Sequence, residues 1–128
     1  MARCAPSDFT GWNSPNADSL GSPLRQLFGG PYAQTHALRV AASPLRQLAR
    51  SASPLPAFQL VHGDCDETVP FHMSETFVAE AVRRGAHAEL HRVTGGHHNM
   101  GPDEFAPWSD EPWTELGYQA LRFFQRHL

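Results

Sequence analysis

The second half of the chain alternates apolar runs with an amphipathic segment. Residues 57–62 are β-prone and end at Gly63, which predicts a buried strand that opens into a loop. Residues 74–84 have the spacing of an amphipathic helix that ends at Gly85. Its predicted apolar face consists of Phe77, Val78, Ala81 and Val82. Residues 87–93 alternate in polarity and predict a second strand, nearer a sheet edge, so the order favours a parallel α/β sheet.

A last amphipathic pattern follows a glycine-rich loop over residues 95–101. Pro112 opens a predicted helix there. Its apolar stripe comprises Trp113, Leu116, Gly117, Ala120, Leu121 and Phe124. We expect this stripe to pack on the sheet and to hold the loop, because the loop's glycines give it little stiffness of its own.

The first half of the chain has weaker patterns. Residues 1–22 are predicted to be irregular, since proline, glycine, asparagine and serine interrupt every periodicity. Short helices are predicted over residues 24–28 and 33–42. A further helix start is predicted at residues 43–48, because the letters SPLRQL recur there with the same Ser-Pro beginning. Residues 51–56 are predicted to form a loop.

Composition narrows the class of protein. With 128 residues, 41% apolar and 18% charged, the chain is predicted to form one soluble globular domain over residues 1–128. Its 10 cationic residues are all arginine, and 13 acidic residues give a net charge of −3, so no basic stripe for nucleic acid exists. No secretory signal or membrane span is evident, and two cysteines do not make a disulfide framework. A cytoplasmic location is therefore predicted.

Two chemically rich loops are expected to converge. Residues 63–70 and 95–101 would both follow the carboxyl ends of neighbouring parallel strands, where α/β folds bind ligands. The first loop offers Asp64, Asp66 and Glu67, and the second offers two adjacent histidines. An aspartate presented to a histidine is the orienting half of a nucleophilic triad. The nucleophile is missing, because none of the nine serines lies in a G-x-S-x-G motif and no HGGG-type segment is present.

These motifs resemble a known family. HGDCDETVP at residues 62–70 and GGHHN at residues 95–99, joined by a crossover helix and an edge strand, resemble the C-terminal half of α/β-hydrolases. The similar branch contains bacterial acyl esterases and prolyl-oligopeptidase-like peptidases. Upstream, CAPSDFT, SPLRQLFGGP and AASPLRQL look like the segment that such esterases carry between the nucleophile and the acid strand. The resemblance covers nearly the whole chain and implies a doubly wound, mostly parallel sheet that lacks its N-terminal strands and nucleophile elbow.

The resemblance implies roles for particular residues. The acid lies three residues before the valine of HGxxDxxVP and falls on Asp66, and the base follows a glycine pair and falls on His97. His98 competes for the base role, since a slip of one residue exchanges the two. The residues themselves suggest that Asp64 bonds loop amides and that His62 braces the loop through a backbone hydrogen bond. Gly63 is expected because a tight exit from the strand needs a residue without Cβ.

The leading hypothesis is the C-terminal portion of a serine hydrolase that cleaves a small carboxylic ester, with no cofactor or metal and no nucleic-acid or membrane partner. Alternatives are a peptidase of the prolyl-oligopeptidase type and a non-enzymatic remnant or binding module. A metal-binding module is a further alternative, with donors His62, Asp64, Asp66, His97 and His98. Cys65 is a poor substitute nucleophile, because the carboxylates on either side disfavour its thiolate. The chain alone is therefore predicted to be inactive.

The predicted sheet is also incomplete. Two parallel strands do not make a doubly wound sheet, and residues 58–61 should be central, with no neighbour on the inner side. We expect the chain to be marginally folded unless the missing N-terminal half or another chain covers that edge.

Overall fold

The computed structural model describes residues 2–12, 19–52, 54–98 and 110–127, and for residues 110–116 the backbone alone. The elements, in chain order, are β1 (Ala2–Arg3), α1 (Pro23–Phe28), α2 (Tyr32–Ala42), α3 (Pro44–Arg50), β2 (Phe58–Gly63), α4 (His72–Arg83), β3 (Ala88–Val93) and α5 (Asp110–His127). The strands form a parallel sheet in the order β1-β2-β3. The predicted parallel α/β class is confirmed, and so are the three short helices of the first half.

The central strand β2 has a neighbour on each side. Ala2 and Arg3 pair with Leu60 and Val61 on one side, and β3 pairs along the whole of β2 on the other. The prediction that residues 1–22 are irregular is therefore wrong for β1, and so is the expectation that the inner edge of β2 lacks a neighbour. A strand of two residues is too short to show a period of two, and pairing with β2 decides its conformation.

The main core lies on the face of the sheet that α4 covers. Leu60 packs there with Leu48, Phe77, Ala81 and Ala86, all of them buried. Each fully buried large side chain contributes about 1.5–3 kcal/mol relative to exposure. A smaller cluster of Cys4, Val61 and Val93 lies on the opposite face, because side chains alternate along β2.

Helix α4 connects β2 to β3 and begins two residues before its predicted start. Phe77 and Ala81 are buried as predicted, together with Met73 and Ser74 one turn earlier. Val82, which was predicted to share this face, is 54% exposed. The buried face is thus centred nearer the helix start than the apolar letters alone indicate.

Helix α5 packs through a different side chain from the one predicted. It begins at Asp110 rather than Pro112, and Phe123 is buried while Leu121 and Phe124 are 52% and 42% exposed. The apolar side chains of α5 cover more than one face, so helical spacing alone did not show that Phe123 is buried rather than Phe124. The side chains of Trp113 and Leu116, and residues 99–101 of the glycine-rich loop, lie outside the described residues. Among the described helices, none has the length and apolar character to cross a membrane.

Candidate functional site

The loops after β2 and β3 touch through their backbones. Asp64 N donates to Val93 O at 3.1 Å, and Cys65 N donates to Gly96 O at 3.0 Å. A Cβ built on Gly63 would lie 2.0 Å from Gly96 O. A residue without Cβ is therefore required at position 63, as predicted. The reason is the close approach of the second loop, because the φ of Gly63 is not in the left-handed region.

Asp66 is a fully buried carboxylate, with a side chain that is 0% exposed. Its Oδ1 accepts the backbone N–H groups of Thr68 and Val69, each at 2.8 Å. Burial opposes ionisation, but the amide of Val69, the ring of His98 and the amide of Thr68 outweigh it and lower the pKa of Asp66 below its ordinary value. The loop thus holds a buried negative charge.

His98 lies directly on this carboxylate. Its Nδ1 is 2.9 Å from Asp66 Oδ2 and 3.2 Å from Oδ1. A carboxylate only accepts, so the hydrogen is on Nδ1, and Nε2 of the neutral ring carries the lone pair. The ring is 36% exposed, and among the described residues Nε2 has no hydrogen-bond partner. His98 is therefore a partly exposed imidazole whose orientation is fixed by a buried carboxylate.

His97 points elsewhere. Its Nδ1 is 3.1 Å from Glu67 Oε2, and the two side chains are 36% and 47% exposed. The structure thus pairs Asp66 with His98 rather than with His97, to which the sequence assigned the base. Two adjacent residues in an irregular loop point in different directions, and the loop backbone decides which one meets the acid.

His62 is fully buried at the end of β2 and braces the loop that follows this strand, over residues 63–70. Its Nε2 lies 2.9 Å from Val69 O and 3.1 Å from Asp66 Oδ2. Because Val69 O only accepts, Nε2 carries the hydrogen, and in the neutral ring Nδ1 accepts the hydroxyl of Ser74 at 2.7 Å. The predicted bracing role is confirmed, and the contact with Asp66 is an addition to it.

The side chain of Asp64 links the first loop to Arg92 on β3 and to Gly95 in the second loop. Its carboxylate accepts Arg92 Nε at 2.8 Å and the backbone N–H of Gly95 at 2.6 Å. These bonds, Arg92 first, lower the pKa of Asp64. The prediction that Asp64 bonds a loop amide is confirmed.

Cys4 is a member of the site that the sequence did not identify. It follows β1 with a positive φ of 43°, is buried against Val61, and its sulfur lies within 4.8 Å of a ring nitrogen of His62 and a carboxylate oxygen of Asp66. Burial is the main cause that raises the pKa of Cys4 to about 11, and the charge of Asp66 acts in the same direction, so the thiol stays protonated. No sequence motif indicates that Cys4 lies near Asp66, because the two residues are far apart in the chain.

The five donors of the metal-binding alternative do not form one ligand set. Asp64 bonds Arg92 and Gly95, while His97 pairs with Glu67. One buried group of potential ligand atoms does exist within the described residues, namely Cys4, His62 and Asp66. Both ring nitrogens of His62 are already in hydrogen bonds, so this group fits a hydrogen-bond network better than a metal.

Cys65 is exposed, and its pKa is raised, first by desolvation and then by its hydrogen bond with Asp64 and the charge of that residue. The direction agrees with the expectation that neighbouring carboxylates disfavour its thiolate. Cys65 is therefore a weak nucleophile.

Comparison with known proteins adds two findings. The sequence model of the prolyl oligopeptidase family matches residues 9–123 of the chain. The non-reducing polyketide synthase atr1 of Stereocaulon alpinum is 33% identical in an alignment of 108 positions that covers 69% of this chain and 4% of the synthase. The chain thus spans only a small part of the length of that relative. The family match includes both loops that carry Asp66 and His98.

Proposed function

Because the chain belongs to the prolyl oligopeptidase family, whose members are serine hydrolases with the α/β-hydrolase fold, we propose that residues 1–128 form the C-terminal part of a domain that cleaves carboxylic esters by acyl transfer. Asp66 is the acid and His98 the base. The nucleophilic serine comes from sequence outside these residues, which agrees with the lack of a G-x-S-x-G motif among them.

The hydrogen positions deduced for the pair support these roles. Asp66 accepts the Nδ1 hydrogen of His98, which leaves Nε2 free to take the proton of a serine hydroxyl. The serine oxygen then bonds to the acyl carbon, the alcohol leaves with the proton from Nε2, and water releases the acid by the same steps. Asp66 stabilises the imidazolium that forms in each step.

One observation carries this proposal: the distance of 2.9 Å between His98 Nδ1 and a fully buried Asp66 Oδ2, in a ring that is 36% exposed. Fixed geometry of this kind is what an orienting acid supplies to a general base. The surrounding bonds of Asp66 to Thr68 and Val69 prevent it from turning away.

The substrate class rests on weaker support. The relative named a polyketide synthase supports an acyl ester rather than a peptide as the proposed substrate. The family description favours the peptidase as the second candidate. The proposed partners are a small ester and the missing N-terminal half, without nucleic acid or membrane. The proposed location is the cytoplasm, where the free thiols of Cys4 and Cys65 stay reduced.

The test combines the chain with an N-terminal half from the same family that carries an intact nucleophile elbow. Hydrolysis of p-nitrophenyl acetate is compared with hydrolysis of a prolyl p-nitroanilide. We expect ester cleavage that falls by about 10⁴-fold in Asp66→Asn, as the loss of the orienting carboxylate does in triads. His98→Ala should be at least as severe, and His97→Ala should retain activity.

Each outcome has a defined meaning. If His97→Ala loses turnover and His98→Ala keeps it, the general base is His97 and not His98. Preference for the anilide would favour the peptidase. A folded assembly without any activity would favour the non-enzymatic remnant.

A further inference from the structure

A second group of metal-binding side chains lies away from Asp66, where the start of β3 meets the last turn of α5. His87 precedes β3, Glu89 is the second residue of that strand, and His127 is the last residue of α5. One ligand atom from each residue lies within 4.8 Å of the other two. The His87 side chain is 48% exposed and that of Glu89 33%, so an ion can enter from solvent.

Buried apolar surface supports the two histidine rings of this group. The rings of His87 and His127 face each other with centroids 4.3 Å apart and planes inclined by 37°. Phe123, which is 3% exposed, lies beside both rings. The backbone of His87 is held in turn, because its carbonyl accepts Phe58 N at 2.8 Å. The cluster is thus supported on one side by buried apolar surface.

We propose that His87, Glu89 and His127 bind one Zn²⁺ ion, with water as the fourth ligand. Two imidazole nitrogens and one carboxylate oxygen form a ligand set that zinc accepts in proteins. His87 Nε2 and Glu89 Oε1 are 2.9 Å apart. A tetrahedral ion with bonds of about 2.0–2.1 Å needs neighbouring ligand atoms about 3.3 Å apart, which small side-chain rotations supply. The ion takes the place of the hydrogen that lies between these two atoms, and the neutral His87 ring then carries its hydrogen on Nδ1, so that Nε2 donates its lone pair to the ion.

Arg126 is the group that opposes the ion. Its Nη2 lies 3.1 Å and 3.4 Å from the two oxygens of Glu89, and its side chain is 56% exposed. The guanidinium can stay on the oxygen that does not bind zinc, as hydrogen-bond partners of metal-bound carboxylates do. Its positive charge lowers the affinity, so Arg126→Gln is expected to bind zinc several-fold more tightly.

The site connects two parts of the fold that are distant in the chain. An ion held by both β3 and α5 ties the terminal helix to the sheet and thereby to the strand that leads into the His98 loop. Zinc should therefore raise the melting temperature of the chain, because a ligand that binds only the folded state stabilises it. No spacing motif reveals this ligand set, since His127 is far from His87 in the chain.

The test is zinc titration of the 128-residue chain by calorimetry, with Co²⁺ absorption as a second readout of coordination. We expect one saturable site with zinc in the wild type. His87→Gln and His127→Gln should each weaken it by about 100-fold or more, since the partners that orient ligands are themselves worth 10–100-fold. The matched control is His72→Gln, an exposed histidine on α4, which should bind zinc like the wild type.

Circular dichroism identifies any variant that does not fold, and Glu89→Gln then replaces it with the same expected loss. The proposal is overturned if the wild type has no saturable site at micromolar zinc. It is also overturned if the His87→Gln/His127→Gln double variant binds zinc as the wild type does, because the ion then lies elsewhere, for example at His97 and His98.

Discussion

Replacing Gly63 by alanine tests the contact between the loops that follow β2 and β3, which carry Asp66 and His98. The new Cβ would lie 2.0 Å from Gly96 O and 2.5 Å from Gly96 C. Both are backbone atoms, so no side-chain rotation relieves the overlap. A carbon and a carbonyl oxygen pack no closer than about 3.3 Å, and the loops must therefore separate by roughly 1.3 Å.

That separation has a cost in both stability and geometry. The bond from Cys65 N to Gly96 O is 3.0 Å long and would be lost. Overpacking costs about 1–3 kcal/mol and the lost hydrogen bond about 0.5–1.5 kcal/mol, so we expect a loss of about 1.5–4.5 kcal/mol in the free energy of unfolding. Misplacement of His98 relative to Asp66 by about 1 Å should cost on the order of 10²-fold in turnover.

The assay is urea unfolding of the chain, together with ester hydrolysis in the assembly with the N-terminal half. Gly21→Ala is the matched control, because a Cβ there meets nothing within 4 Å and Gly21 has no positive φ. Its free energy of unfolding should stay within about 0.5 kcal/mol of the wild type. Equal stability of the Gly63→Ala and Gly21→Ala variants would refute the contact between the loops.

Three further predictions concern stability. Phe123→Ala should lower the free energy of unfolding by about 3–5 kcal/mol because the ring is buried, and Phe124→Ala, at 42% exposed, should cost much less; equal melting temperatures would contradict this. Ser74→Ala should cost about 1–3 kcal/mol in urea unfolding, since it removes the hydroxyl on His62 Nδ1 in a fully buried pair. The pKa of Asp66 is lowered in the folded state, so the unfolded chain takes up this proton first on acidification. The resulting stabilisation is complete above about pH 5 and is lost as the pH falls through the lowered pKa of Asp66. In the Asp66→Asn variant, the free energy of unfolding should therefore decrease less steeply on acidification, which urea unfolding at several pH values measures.

Much of the fold was accessible from the sequence because its signals are local. The apolar run that ends at Gly63 and the helical spacing around Phe77 each report burial of the same short segment. Since two parallel strands place their following loops at one edge, the convergence of the loops that hold Asp66 and His98 followed from topology alone.

Contacts between distant segments were not accessible from the sequence. The pairing of β1 with β2 and the approach of Cys4 to His62 and Asp66 join parts of the chain that share no local pattern. Which histidine meets Asp66 depends on the backbone of one loop, and whether Phe123 or Phe124 is buried depends on the rotation of one helix. In these last two cases tertiary packing decides between adjacent residues that the spacing treats as equivalent.

Burial also separates the roles of the two residues of the pair. The Asp66 side chain is 0% exposed and holds two loop amides besides His98, so its charge is part of the fold. The His98 side chain is 36% exposed. Asp66→Asn removes the charge that holds the two loop amides and His98 together, whereas His98→Ala removes one partner of that charge and leaves both amides on the carboxylate. Under the proposed roles, both variants should lose activity, and Asp66→Asn should cause the larger loss in the free energy of unfolding.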